Sequence, residues 1–330
     1  MSFVKSNISK KQIVKILKSN YGISGKIIRL DGEIDFNYKI TDKNNHSYLL
    51  KISRPSFNPD YIDYQLKILE HLSKQDEIKT STVLTTLNHE KSFVVKDKLG
   101  KDRSIILYNW IDGRLWSKVN PKTKKLREDL GSQSSLITRS LLKFKHSFSK
   151  RKIDWDIANS LWVEEYIPMF KNEEKEIAEE FIKSFKERLD EFNKLKKSII
   201  HNDINDNNII VSNNLKNPKV ESIIDFGDSV FSQTINDLAI TCAYAIMNLD
   251  DPLNACLDVV RGYNKNFKIN DAEIKLLYNL IGIRLIISVT KSFINRKKEP
   301  ENKYLLISEK SAWSLLKKWR NINPEFAYYS

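Results

Sequence analysis

At 330 residues the chain is long enough to bury the cores of two lobes, and its composition, 41% hydrophobic and 29% charged, is that of a soluble globular protein. Cys242 and Cys256 form neither a disulfide framework nor a metal-ligand spacing, and no apolar leader follows Met1, so a cytoplasmic setting is expected. The net charge of +13 comes from scattered lysines without a basic and aromatic stripe, which argues against nucleic acid as a partner, and the longest apolar run (276–289) is too short and too interrupted for a membrane span.

In chain order, Ser9-x-x-Gln12 reads as a capping box opening a helix that ends near Gly22. Strand-like runs follow at 26–30, 36–41 and 46–52, the last two joined by the turn DKNN. Asn58-Pro59 is an N-cap and first-turn pair that predicts a helix to 72. Further strands are expected near 82–86, 92–96 and 103–108, with Leu99-Gly100 turning the last pair. After Tyr108 the texture changes. The irregular link NWIDGRLW leads into helical patterns over 121–150, 159–170 and 172–195. A strand-like section, 198–226, precedes four more helices near 234–248, 252–265, 271–296 and 303–321. The expected class is α+β and two-lobed: an antiparallel sheet lobe with one main helix (1–108), a connector (109–120) and a larger, mostly helical lobe (121–330).

The chemistry concentrates in HNDINDNNIIV (201–211), where residues that disfavour regular structure stand directly before an apolar run. Asp203 follows His201 by two positions, Asn208 follows Asp203 by five, and Asp225 closes an apolar strand in IIDFGD, 17 positions after Asn208. The pattern H-x-D-x-x-x-x-N followed by D-F-G resembles the catalytic and metal loops of protein kinase-like phosphotransferases. Phosphoryl transfer asks the protein for positioning and for neutralised phosphate charge. Mg²⁺ prefers oxygen ligands, which the Asp225 carboxylate and the Asn208 amide carbonyl supply. Asp203 would orient the acceptor hydroxyl and take its proton, with orientation outweighing basicity in so weak a base. His201 would brace the loop, and Asn205 lies close enough to the transfer path to touch phosphate. A merely polar turn explains the first motif, but not a second motif in the right order. Thr234-x-x-Asp237 reads as a helix cap, while Asp228 is left with two roles, bracing its loop or meeting a substrate ammonium.

On the nucleotide side, Lys51 in YLLKI is suited to the α- and β-phosphates. Its helix partner is not evident: Asp63 and Gln65 occupy the expected window, with Glu70 further along. The first hairpin, LDGEIDFNYKI, carries Gly32 alone and not G-x-G-x-x-G. The connector IILYNWI offers adenine-facing backbone at Asn109 and Ile111.

These features together resemble the aminoglycoside phosphotransferase-like superfamily, and within it hydroxylysine kinase and its bacterial relatives. The resemblance runs through IDFNYKI, YLLKIS, the Asp63-Tyr64-Gln65 helix, IDGR, both loop motifs and EPENKYL before a tryptophan-bearing helix. That family pattern usually has glycine after the histidine, where this chain has Asn202. The resemblance implies a two-lobed protein kinase-like fold, Mg²⁺, and ATP or GTP as phosphoryl donor to a small hydroxylated amine such as 5-hydroxylysine. It carries the base over to Asp203 and the metal positions to Asn208 and Asp225. Homoserine, choline or an aminoglycoside are alternative acceptors, and a silent nucleotide-binding protein is the alternative outside enzymes. For the acceptor, Arg284 in GIRLIISV reads either as a carboxylate clamp or as half of an internal salt bridge. Asn159 and Trp162 are further candidate pocket residues.

Overall fold

The computed structural model describes residues 8–32, 35–55, 57–298 and 306–330. The chain starts with α1 (Lys10–Tyr21), whose Ser9–Gln12 capping box and left-handed Gly22 terminus are both present. Its Ile13, Leu17 and Tyr21 recur at helical spacing and face an antiparallel sheet. The sheet comprises β1 (Gly25–Leu30), β2 (Phe36–Asp42), β3 (Ser47–Ile52), β4 (Val83–Leu84), β5 (Phe93–Lys96) and β6 (Asp102–Asn109). Its order is β1-β2-β3-β6, with β4 and β5 sharing the far edge of β6. Strand alternation decides what each face does. Leu50, Ile52, Ile105 and Leu107 enter the core beneath α1, while Leu49, Lys51, Ile106 and Tyr108 face the other way. That second face is covered by α2 (Pro59–Leu72), which joins the core of the helical lobe through Tyr64, Ile68 and Leu72.

The larger lobe is built on α3 (Lys124–Leu141), α4 (Asn172–Glu187), α5 (Leu189–Asn193), α6 (Asn236–Ala245), α7 (Pro252–Asn266), α8 (Asp271–Lys298), α9 (Glu309–Arg320) and α10 (Pro324–Tyr329). Helix α8 is apolar on nearly every face because it runs through the middle of the lobe, buried from Leu276 to Thr290 apart from Tyr278. No helix among the described residues is long and apolar enough to cross a membrane. Two small sheets carry the loops of interest. One pairs β9 (Ile209–Val211) with β10 (Val220–Ile223) and with β7 (Arg114–Leu115) of the connector; the other pairs β8 (Lys197–Ile200) with β11 (Val230–Gln233).

The two-lobed α+β class is the expected one, but several elements differ in detail. The 159–170 helix is replaced by two 3-10 stretches, Ile157–Glu165 and Ile167–Met169, and Pro168, which has no N–H to donate, keeps them from running on as one helix. The 121–150 pattern is α3 plus a separate 3-10 turn at Ser147–Lys150, and the 172–195 helix breaks at Arg188. Strand β11 was not expected. Neither was α10, although its Asn323-Pro324 start is the same N-cap and first-turn pair that marks α2. The helix expected over 303–321 runs from Glu309; its first residues, the EPENKYL segment and Glu33-Ile34 of the first hairpin lie outside the described residues.

Helices α3 and α7 meet through glycine on both sides. A Cβ on Gly131 would lie 1.9 Å from the Val259 carbonyl oxygen, and one on Gly262 would lie 1.9 Å from that of Glu128. Both contacts are with backbone, so the helices must separate to admit a methyl group. Gly131→Ala and Gly262→Ala are each expected to cost about 1–3 kcal/mol, read as a lower urea midpoint at unchanged m-value. An unchanged midpoint would refute close backbone packing here.

Candidate active site

The 201–208 loop leaves β8 and is held from beneath by Asp237 at the start of α6. Asp237 accepts the His201 and Asn202 backbone N–H groups at 2.9 and 2.8 Å. It does not cap its helix with Thr234, whose hydroxyl lies 2.9 Å from that of Ser198, so its structural role is to anchor this loop. His201 is fully buried: Nε2 donates to the Ile224 carbonyl at 3.1 Å, and Nδ1 accepts from the Asp203 N–H at 3.2 Å. The chain turns at Asn202 with φ 66°, a left-handed conformation that favours glycine. Both side-chain polar atoms of Asn202 are buried without a hydrogen-bond partner among the described residues.

This anchoring presents Asp203. Its Oδ2 accepts from the Asn205 and Asn208 amides at 2.9 and 2.8 Å, and its Oδ1 accepts from Arg284 at 2.9 Å. Burial pushes the Asp203 carboxyl well up, and Arg284 opposes that shift. Because Nδ2 of Asn208 is spent on Asp203, its Oδ1 remains available as an oxygen donor. Asp225, also left-handed at φ 64°, meets Lys51 from β3 with both oxygens at 3.2 Å. Burial raises the Asp225 carboxyl, but Lys51 and the Gly227 N–H more than reverse this and hold it below the usual range. Burial likewise works against the Lys51 ammonium, which Asp225 and then Asp35 keep charged. Among the described residues no group of three or more His, Cys, Asp or Glu forms a metal cluster; the Asp225 carboxylate and the Asn208 side chain line the same cavity.

The helix partner of Lys51, open in the sequence, is none of the three residues considered. Asp63 pairs with Lys67 and His146, and Glu70 with Lys74 and Lys91. Buried Gln65 and the Tyr61 hydroxyl lie over Gly227 instead. Asp35, in the roof of the cleft, went unnoticed in the sequence because nothing local marks it.

Lys51, Asp203, Asn205, Asn208, Asp225 and Asp228 all line one cavity of about 600 Å³ between the lobes. Asp228 makes no direct ion pair or side-chain hydrogen bond among the described residues; burial raises its carboxyl against the field of Arg151. At the connector end, Asn109 is tied to Thr82 through both its backbone N–H and its side chain. No hydrogen bond engages the Ile111 backbone among the described residues, and it lines the same cavity. Three acceptor candidates fall elsewhere. Asn159 is turned to Ile153 and Asp156, Trp162 donates to the Asp154 carbonyl, and neither lines the cavity. Arg284 is fully buried against Asp203, so of its two readings the internal salt bridge is the one present. Trp155 and Tyr244, whose rings flank the Arg284 guanidinium beside Asp203, do line the cavity. Neither has a sequence signal that separates it from a core aromatic.

A sheet lobe and a helical lobe meeting at such a cleft define the kinase-like class of fold. Residues 26–264 match the model of the phosphotransferase enzyme family, and the chain belongs to that family. It is a small-molecule phosphotransferase with an alcohol acceptor. Among named relatives it is 26% identical to hydroxylysine kinase of Xenopus laevis, over 97% of this chain and 92% of the relative. It is 24% identical to that of Bos taurus, over 96% and 90%. Among solved structures, a microcompartment-associated aminopropanol kinase superposes with TM-score 0.73 at 15% identity, covering 94% of this chain and 97% of that one. An amicoumacin kinase in complex with AMP-PNP, Ca²⁺ and Ami gives 0.71 at 15% identity, covering 97% and 98%.

Two expectations follow from the loop. Asn202→Gly relieves a left-handed backbone and removes two buried, unpaired polar atoms, so it should raise stability by about 1 kcal/mol and preserve turnover. A lower melting temperature for that variant would contradict this. Burial pushes His201 down to about 4, against about 6.5 in the unfolded chain. Between these values the unfolded chain takes up a proton that the folded loop refuses. The contribution of His201 to stability is therefore complete above about pH 6.5 and is lost as the pH falls toward 4. Asp237, raised to about 6 by burial, acts in the opposite sense from 3.8 upward, so the comparison with His201→Asn isolates the histidine. From about pH 7 to about pH 5 the wild-type melting temperature should fall more steeply than that of His201→Asn; parallel slopes would refute a buried neutral imidazole.

Proposed function

We propose that this protein transfers the γ-phosphoryl group of ATP or GTP to the hydroxyl of a small amine, with 5-hydroxylysine as the leading acceptor. The observation that carries the reading is the convergence of Asp203, Asn208, Asp225 and Lys51 on one cleft. The acceptor oxygen attacks the γ-phosphorus, the bond to the nucleoside diphosphate oxygen breaks, and the hydroxyl proton passes to Asp203. Asp203 is the proposed proton acceptor and orienting group; His201 supports its loop, and Asn205 holds one of its oxygens. Asn208 and Asp225 would hold Mg²⁺, which when bound supplies positive charge to the phosphate oxygens. Lys51 moves from the Asp225 carboxylate to phosphate oxygens as nucleotide enters. The lobe of residues 1–108 serves the nucleotide, with the Ile111 backbone in the connector (109–120) at the purine edge and Asn109 shaping the wall. The lobe of residues 121–330 serves chemistry and acceptor.

The nearly full-length similarity to hydroxylysine kinases supports the acceptor, as does Asp228, a half-buried cavity-lining carboxylate whose charge suits a primary ammonium. A quaternary ammonium of the choline type fits less well, because Arg284 already fills the space between the Trp155 and Tyr244 rings. The test is a nucleotide-consumption screen with ATP or GTP plus Mg²⁺ against 5-hydroxylysine, homoserine, choline and aminoglycosides. Turnover with 5-hydroxylysine is expected, and Asp203→Asn should lower it about 10²–10⁴-fold while Mg²⁺-nucleotide binding persists. Undiminished turnover in that variant would remove Asp203 from its role, and turnover of homoserine alone would overturn the acceptor.

A further inference from the structure

Arg284 stands in the middle of α8, within an apolar stretch, and its side chain is completely buried. Nη1 donates to the Trp155 carbonyl at 2.6 Å and Nη2 to Asp203 Oδ1 at 2.9 Å. The Trp155 and Tyr244 rings have their centroids 4.8 and 5.4 Å from the guanidinium carbon. Nε is buried with no hydrogen-bond partner among the described residues. As a way of stabilising the fold this is a poor choice. Desolvating a guanidinium costs several kcal/mol, and an apolar side chain of similar volume would pack as well without that loss. A buried arginine with one donor unmet calls for another reason.

That reason lies in how the Asp203 carboxylate is held. The two amides on Oδ2, from Asn205 and Asn208, belong to the same loop as Asp203 and move with it. Among the described residues Arg284 is the side-chain donor to Asp203 that comes from outside this loop, from a helix packed in the core. We propose that Arg284 is a positioning residue for phosphoryl transfer, fixing the angle of the Asp203 carboxylate toward the acceptor hydroxyl without touching substrate. This rests on Asp203 being the group that orients the acceptor. An orienting carboxylate must hold one geometry, and a misplacement of about 1 Å costs about 10²-fold in rate. Intraloop amides cannot supply that reference, whereas a guanidinium gripped by two rings and a carbonyl can.

Steady-state kinetics with 5-hydroxylysine, or whichever hydroxylated amine of the screen is turned over, decide the matter across R284M, R284K, D203N and D203N/R284M. R284M should lower kcat about 10²-fold while the KM for Mg²⁺-nucleotide stays within about twofold. R284K, which keeps the charge without the planar fork, should recover part of the loss. In the D203N background R284M should change the residual rate by less than about twofold, since the carboxylate it positions is gone. The double variant leaves neither charge orphaned and should melt no lower than wild type, so it carries the comparison with D203N even if R284M alone folds poorly. Equal losses in both backgrounds would overturn the proposal, as would a wild-type kcat in R284M or a rise in acceptor KM alone. Full activity in D203N would instead strike the reading of Asp203 itself.

Discussion

Crowding carboxylates into one partly desolvated cleft is the constraint around which the site is built. Asp203, Asp225, Asp228 and Asp237 lie within one short stretch of chain, and burial disfavours the charge of every one of them. Each is answered differently. Asp237 receives two backbone N–H groups and becomes a fixture. Asp203 receives a guanidinium and two amides, Asp225 receives a lysine from the opposite lobe, and Asp228, without a direct partner among the described residues, feels the fields of Arg151, Arg284 and Lys51. Asp237 lies buried in the scaffold, while Asp203, Asp225 and Asp228 line the cavity. A buried group with every partner internal serves structure, and one still lacking a partner is suited to a ligand.

The same constraint explains the positions of the larger elements. Helix α8 must be central and apolar to bring a dry arginine to Asp203, and its polar interruption at Arg284 is tolerated because Trp155 and Tyr244 cover the guanidinium. The 3-10 stretch beginning at Ile157 follows directly on Trp155, whose carbonyl completes the grip. Across the cleft, period-two alternation on β3 sends Leu50 and Ile52 into the small core and leaves Lys51 on the face that meets Asp225. Packing thus sets where charges meet.

Much of this was readable one element at a time. Ser9–Gln12, Asn58-Pro59 and the DKNN turn are local devices whose geometry follows from a few adjacent side chains, and each appears where its sequence indicates. Reading failed where the outcome is not local. The 159–170 stretch has a helical pattern, but it folds as two 3-10 stretches interrupted before Pro168. Trp162 and Trp155 are alike in composition and neighbourhood, and only Trp155 reaches the cavity. The same holds for Asn202: the sequence marks it as standing where a glycine is usual, while the left-handed backbone that explains the preference is visible only in three dimensions.

The sequence by itself determined the class of fold and marked the residues proposed to carry chemistry, because H-x-D-x-x-x-x-N, D-F-G and a strand lysine are short-range patterns that phosphoryl transfer uses together. It left the partners of those residues open. Lys51 meets Asp225 across 174 positions and Arg284 meets Asp203 across 81, and no periodicity or spacing encodes such pairs. Only tertiary packing decided them. A buried charge takes whichever donor or acceptor the surrounding helices bring within about 3 Å, and that is a property of the assembled core rather than of any segment of it.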